Sequence, residues 1–560
     1  MKIRLMNINI ERAGLVMLTL GMTMLQAKAQ RGEIESQTYE IIKEKSIEFG
    51  TANRLFDKVQ PVSADQKKTK VGYELIDPNI SIASPKLTPT VGLSSDDKER
   101  LDGPEVLNNY IKLGAGNYSR FLGEAFVGAR PTEDLAFSAQ LKQLSSGTGP
   151  VDGKNSANAM TNIRLGGKYI QPRYKVDGSL EYDRKNYYFY GYKPQPESQS
   201  VNRDSLRQTI NQFGFSLGFE NTDADVAVDY SVKTSLNSLK DHYKASELDW
   251  GTQLKASVPI SESFYALLNA DAYVSQRVDR LTYNRNLFRV SPTFKYVSDF
   301  FSVTFGLNAV NETDSELDIN KTKAFPKLNI DVTPIAGIHI FANYNGDIVR
   351  NTLKSMLNEN QWLGSNVLIV NTEKTYDLSA GVKGEDPQGF NYEGKVSFAQ
   401  YRNFYNFNNS LADTSKFSII YDPGKTKVLT LSAQAGYNFN DLFKTSLKVN
   451  FFDYKMDQTE QAWHRPDLTV NWFNALSISK KLFITSDFYV LKGMKAKNFQ
   501  SGQVQKLPVV ADLNLKIDYL LTQNFSAFVA INNVLGKQYQ RYQYYPQQGL
   551  NFIGGLSFSF

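Results

Sequence analysis

The sequence predicts an all-β fold: a transmembrane antiparallel β-barrel of about 22 strands, preceded by a short, mostly extended segment. Three observations carry that expectation. Apolar and polar residues alternate with a period of two after residue 105. Very short links alternate with longer ones. The last ten residues, NFIGGLSFSF, form an amphipathic strand that ends on Phe560.

Composition narrows the alternatives. The chain holds 35 Phe and 31 Tyr, yet its mean hydropathy is −0.39. Many aromatics in a polar chain suit half-apolar strands better than a helical core. Cysteine is absent, which excludes disulfides, thiolate metal sites and lipidated cysteine. The formal net charge is +6, and Lys2, Arg4, Arg12 and Lys28 supply much of it against Glu11. What remains after residue 29 is too little for an electrostatic nucleic-acid binder, so no nucleic-acid partner is expected.

The first element, residues 1–29, is expected to be a secretory signal peptide. Lys2, Arg4 and Arg12 form its basic region, Gly14–Leu25 its apolar core, and Ala27-Lys28-Ala29 a small-residue cleavage site. The apolar core is too short to cross about 30 Å of hydrocarbon as a helix. Residues 30–104 follow as a periplasmic or lumenal segment. Pro61, Pro78, Pro85 and Pro89 keep its second half extended, suited to threading a lumen or to meeting periplasmic or outer-membrane partner proteins. The charged Ser94–Arg100 is expected to be solvated linker.

Residues 105–560 form the barrel. Leu135, Phe137, Ala139 and Leu141 alternate with Ser138, Gln140 and Lys142. Val509, Ala511, Leu513, Leu515, Ile517 and Tyr519 alternate with Asp512, Asn514, Lys516 and Asp518. Full charges on one face and aromatic-ended apolar runs on the other fit a wall with lipid outside and water inside. Ten short links recur: Pro131–Glu133, Gln171-Pro172, Thr222-Asp223, Ser261-Glu262, Ser298-Asp299, Ile335-Ala336, Pro387-Gln388, Phe439-Asn440, Lys480 and Thr522-Gln523. The longer loops between them include 185–205, 347–372, 403–424, 492–505 and 534–548. Short turns on one rim and long loops on the other are the pattern of an outer-membrane barrel in a Gram-negative bacterium. In the closing strand, Phe552, Leu556, Phe558 and Phe560 are expected to face outer-membrane lipid, and Ser557 and Ser559 the lumen.

Two stretches carry a family resemblance. Asn533-Val534-Leu535-Gly536-Lys537-Gln538-Tyr539, followed by Tyr545-Pro546, Gly549 and the strand ending at Phe560, resembles the end of a TonB-dependent receptor barrel. Phe325–Ile348 is similar to a mid-barrel hairpin of that family. The resemblance implies a receptor-like barrel whose turn is built by Asn533, Gly536, Lys537 and Tyr539. It also implies that the terminal Phe strand is read by the outer-membrane assembly machinery. The front departs from the family: residues 30–104 show no recognisable plug domain or TonB box.

Catalytic chemistry is missing from the sequence. His242, His339 and His464 lie far apart, and no H-E-x-x-H, G-x-S-x-G, P-loop or dinucleotide fingerprint is present. No enzyme activity, metal or cofactor is expected, and His339 is expected to line the lumen. Tyr187, Tyr188, Phe189 and Tyr190 are candidate outer-loop ligand contacts, with an interfacial girdle as the structural alternative. Leu353–Leu363 is read as a short loop helix whose apolar side, Leu353, Met356, Leu357 and Trp362, narrows the mouth. Two functions follow. One is a barrel that takes up or passes a solute or peptide. The other is a scaffold in an outer-membrane insertion or secretion complex, its lumen closed by partners.

Overall fold

The computed structural model describes residues 109–192, 201–223, 226–386, 388–439, 442–498 and 501–560. The expected signal peptide, the 30–104 segment and Ser94–Arg100 lie outside them. The described chain forms a 22-stranded antiparallel sheet closed on itself, with three small two-stranded sheets in its loops. The first strand, Tyr110–Gly116, pairs with the last, Asn551–Ser559, with Leu113 opposite Leu556 and Lys112 opposite Ser557. Closure leaves no free sheet edge. The seam is rich in glycine because the strands approach closely there: a Cβ on Gly555 would collide with the backbone of Leu113.

Each strand sorts its side chains by parity. Phe137, Leu141, Val396, Phe398, Trp472 and Leu556 are exposed on the outer wall, where lipid covers them. Lys142, Lys395, Glu393 and Asp512 are buried on the inner side. The inner face pairs its charges: Arg289 meets Asp271 at 2.6 Å and Asp347 at 2.9 Å, and Arg164 meets Glu181 at 2.8 Å. His339 joins this lining, with Nδ1 2.7 Å from Asp331 Oδ1.

The expected short links fall between paired strands at one rim, mostly displaced by a residue or two from the sequence reading; Thr222-Asp223 opens a longer connection, since the next strand begins at Asp229, and Pro387 and Asn440 lie outside the described residues. Rings ladder around that rim. Tyr169, Tyr174, Phe219 and Tyr230 follow one another with centroids 6.2, 5.9 and 5.8 Å apart. The opposite rim carries the long loops, and it also carries tight ones at 241–245 and 279–281. Among the described residues, no helix is long and apolar enough to cross a membrane.

Candidate functional site in the outer loops

The long loops fold inward and pack on one another. Their centre is the helix Leu353–Glu359. Thr352 and Ser355 form a capping box at its start. The Glu247 carboxylate, at the outer end of a wall strand, accepts the Leu353 N–H at 2.7 Å and the Lys354 N–H at 3.1 Å. A carboxylate there satisfies two amides that the helix itself leaves unpaired and meets the positive end of its dipole. Lys354 Nζ donates to Asn237 Oδ1 at 2.8 Å, and Lys185 Nζ to Asn358 Oδ1 at 3.1 Å, so the helix is tied to the wall.

Leu353, Met356, Leu357 and Trp362 are all buried, as the apolar side of this segment predicts. They join a cluster drawn from distant parts of the rim. Ile210 and Leu239 come from wall strands, Phe407 and Phe417 from a loop hairpin, and Tyr542 and Tyr545 from the last loop. That hairpin pairs Phe404–Asn409 with Phe417–Asp422. Trp362 stacks on Tyr545 at 4.0 Å, and Tyr545 meets Tyr190 at 4.8 Å. The cluster therefore spans the mouth between opposing loops.

Each buried phenol donates to a backbone carbonyl of another loop. Tyr542 bonds Glu359 O at 2.8 Å and Tyr190 bonds Pro546 O at 3.2 Å. Tyr187 bonds Gln361 O, and Tyr545 bonds Ser415 O. Buried rings with anchored hydroxyls hold irregular backbone in one arrangement.

A charged clasp lies beside the rings. Arg465 Nη1 is 3.1 Å from Glu359 Oε1, and its Nη2 donates to Tyr405 O at 2.9 Å. Tyr405 donates to Glu359 Oε2 at 2.6 Å. Burial, the largest single influence, works against the Arg465 charge, but Glu359 together with Tyr405 and Tyr454 outweighs it and raises the group above its ordinary range. The adjacent His464 has Nδ1 2.7 Å from Phe407 O, and its Nε2 accepts the Gln543 N–H at 3.2 Å. Those bonds define a neutral ring. Burial, with the nearby Arg541, brings its pKa down to about 4.

Several buried polar atoms in this cap have no protein partner: Asn360 Nδ2, Trp362 Nε1, both amide atoms of Asn406, Asn408 Nδ2 and Gln543 Oε1. Among the described residues, no group of three or more His, Asp or Glu is placed to hold a metal.

The candidate contacts from the sequence take different places. Tyr187, Phe189 and Tyr190 are buried in the loop cluster. Tyr188 is half-buried on the outer wall beneath Arg203. A ligand reaches the three buried rings only if the loops part. The turn residues act structurally. Asn533 adopts φ 50°, and its Nδ2 donates to Lys537 O at 2.7 Å and Gln548 O at 2.9 Å. Gly536 takes φ 65°, Lys537 supplies that carbonyl, and Tyr539 donates to Asp512. Phe552, Leu556, Phe558 and Phe560 are exposed on the outer wall. Glu247, Tyr542, Tyr545 and the Glu359–Arg465 pair were not found from sequence. The aromatic density of "RYQYYP" was the available signal.

No protein-family model and no curated protein matches the sequence. Solved structures do match. The FrpB iron transporter of Neisseria meningitidis (F3-3 variant) aligns at 10% identity and TM-score 0.64, covering 83% of this chain and 83% of its own. The siderophore receptor PirA of Acinetobacter baumannii aligns at 10% identity and TM-score 0.62, covering 81% and 80%. The ferric-catecholate import receptor Fiu of E. coli K12 aligns at 10% identity and TM-score 0.62, covering 81% and 81%. At such identities the likeness establishes architecture: this chain shares its barrel fold with iron and siderophore receptors.

Proposed function

We propose that this protein is a receptor-like barrel of a Gram-negative outer membrane that takes up or passes a solute or peptide, contacting it through the folded outer loops. One observation carries this reading: a 22-stranded barrel whose loops pack across its outer mouth. Outer-membrane transporters of about 22 strands have a filled lumen, whereas barrels of 16–18 strands leave an aqueous channel. A mouth closed by interlocked loops suits selective entry rather than sieving. The fold shared with iron and siderophore receptors favours transport over catalysis. The unpartnered Nδ2 atoms of Asn360 and Asn408 and both amide atoms of Asn406 offer donors and an acceptor to a polar solute when the loops rearrange.

The test is purification from native outer membrane in mild detergent, followed by mass spectrometry and hydrogen exchange. A lone barrel whose 350–371 and 404–422 loops change protection on adding the small-molecule fraction of the growth medium supports transport. Recovery in fixed stoichiometry with other envelope proteins, with no such change, overturns it in favour of a scaffold.

A further inference from the structure

The outer wall changes character at the loop-side ends of three consecutive strands, Tyr174–Tyr188, Arg207–Asn221 and Asp229–Lys240. Their outward rows are apolar for most of their length, with Leu180, Phe213, Phe215, Leu217 and Leu236 exposed to lipid. Each row then turns polar and carries a cation, Arg184, Arg207 and Lys240 in turn. Asn211 is the register partner of Arg184 on one side and of Lys240 on the other. Two cations therefore flank one carboxamide, each about 5 Å away across the sheet. Tyr182 donates to Asn211 Oδ1 at 3.0 Å, which leaves the Asn211 N–H groups as donors between them.

The next pair outward is Asn186 and Thr209, joined at 2.7 Å, and beyond it Tyr188 faces Arg207. Arg203 lies over the Tyr188 ring at 4.4 Å. Arg184, Arg203, Arg207 and Lys240 are all exposed. Among the described residues, no carboxylate pairs with any of them, and the outward rows of these strands hold no acid. Asp183, Glu181 and Glu220 have the opposite parity, Asp241 is engaged by Gln208 and Ala245, and Asp204 lies on the adjoining loop turn.

We propose that this collar is a binding site for the phosphorylated headgroup of an outer-leaflet lipid. Its position selects a lipid: the cations sit where the apolar belt ends, at headgroup depth, on the face that acyl chains cover. Its chemistry selects phosphate: guanidinium, ammonium and amide donors share one outward patch, and among the described residues no carboxylate pairs with its cations. A second cationic spot, where Lys427 faces Lys455 across strands, has Asp453 on the same row and serves as the comparison.

The experiment measures binding of fluorescent phosphatidic acid to the purified full chain in zwitterionic detergent. The variants are Arg184→Gln/Arg207→Gln/Lys240→Gln and, as the comparison, Lys427→Gln/Lys455→Gln. All five residues are exposed, and heat-modifiable migration verifies the barrel. The triple variant is expected to bind about fivefold more weakly per cation removed. The comparison pair is expected to bind as the parent, and equimolar inorganic phosphate is expected not to compete. Unchanged binding by the triple variant overturns the site. Equal loss in both variants reduces it to general charge attraction and overturns it too. Displacement by inorganic phosphate makes the ligand a free anion and overturns the lipid assignment.

Discussion

Trp362 lies against Tyr545, ring centroids 4.0 Å apart, and this contact joins the central loop to the last loop across the barrel mouth. Tyr545 is fully buried and also meets Tyr190 and Phe417. Replacing it with Ala removes a ring from the middle of the cluster. The expected cost to the cap is about 3–5 kcal/mol. Faster hydrogen exchange in 350–371, with unchanged heat-modifiable barrel, is the expected readout.

The Glu247 carboxylate holds the first turn of the loop helix. Glu247→Gln keeps the shape but removes the charge facing the dipole. Helix amides in 353–359 are expected to exchange faster by the equivalent of about 1 kcal/mol, with the wall strands unaffected.

The neutral His464 makes the cap sensitive to acid. Its pKa in the folded cap is about 4, below the ordinary 6.5. Between those values the opened loop binds a proton that the packed loop does not. Cap stability is therefore full above pH 6.5 and falls as the pH drops towards 4, by up to about 3 kcal/mol. Loop exchange measured from pH 7 to pH 4 should accelerate in the parent. It should stay nearly flat in His464→Gln, whose baseline is already weakened.

Parity predicts the effect of charge on the wall. Val396 is exposed on the lipid face, so Val396→Arg should cost about 2–4 kcal/mol near the bilayer midplane. Asn269, on the lumen side of its strand between Lys255 and Ser291, should accept Arg with little change in unfolding midpoint. Asn514 is a poor lumenal control, because its Oδ1 accepts the Asn533 N–H at 3.1 Å and helps hold the turn.

Deletion of Phe560 should lower the yield of assembled, protease-resistant barrel and leave export to the periplasm intact. Its N–H bonds Asn109 O at 3.0 Å and its ring stacks on Phe558 at 5.8 Å, so a local loss at the seam is also expected. Normal barrel yield would remove the end-signal reading.

The wall was legible because its two environments impose a period of two, as in Leu135–Lys142, and because tight turns such as Gln171-Pro172 need few residues. The cap was only partly so. The apolar side of 353–362 predicted inward burial, since an amphipathic loop must cover that side. What it packs on was hidden, because Tyr187, Phe417 and Tyr545 meet through no local period. In the sequence nothing distinguishes Glu247 from any other polar strand residue; its role exists only where the 350–371 loop returns to it. The family-like turn was visible as a string, but the αL backbone of Asn533 and its two carbonyl bonds explain why that string is needed.

The pairing of Tyr110–Gly116 with Asn551–Ser559 also dictates an order of events. The two partners come from opposite ends of the described sequence, so the ring cannot close until both are present and paired. Until that pairing is made, the open sheet offers two raw borders to any passing strand. A chain cut before residue 551 would yield an unsealed ribbon rather than a narrower cylinder, prone to stick to its own copies. Protection of those borders in transit is thus a requirement written into the seam itself.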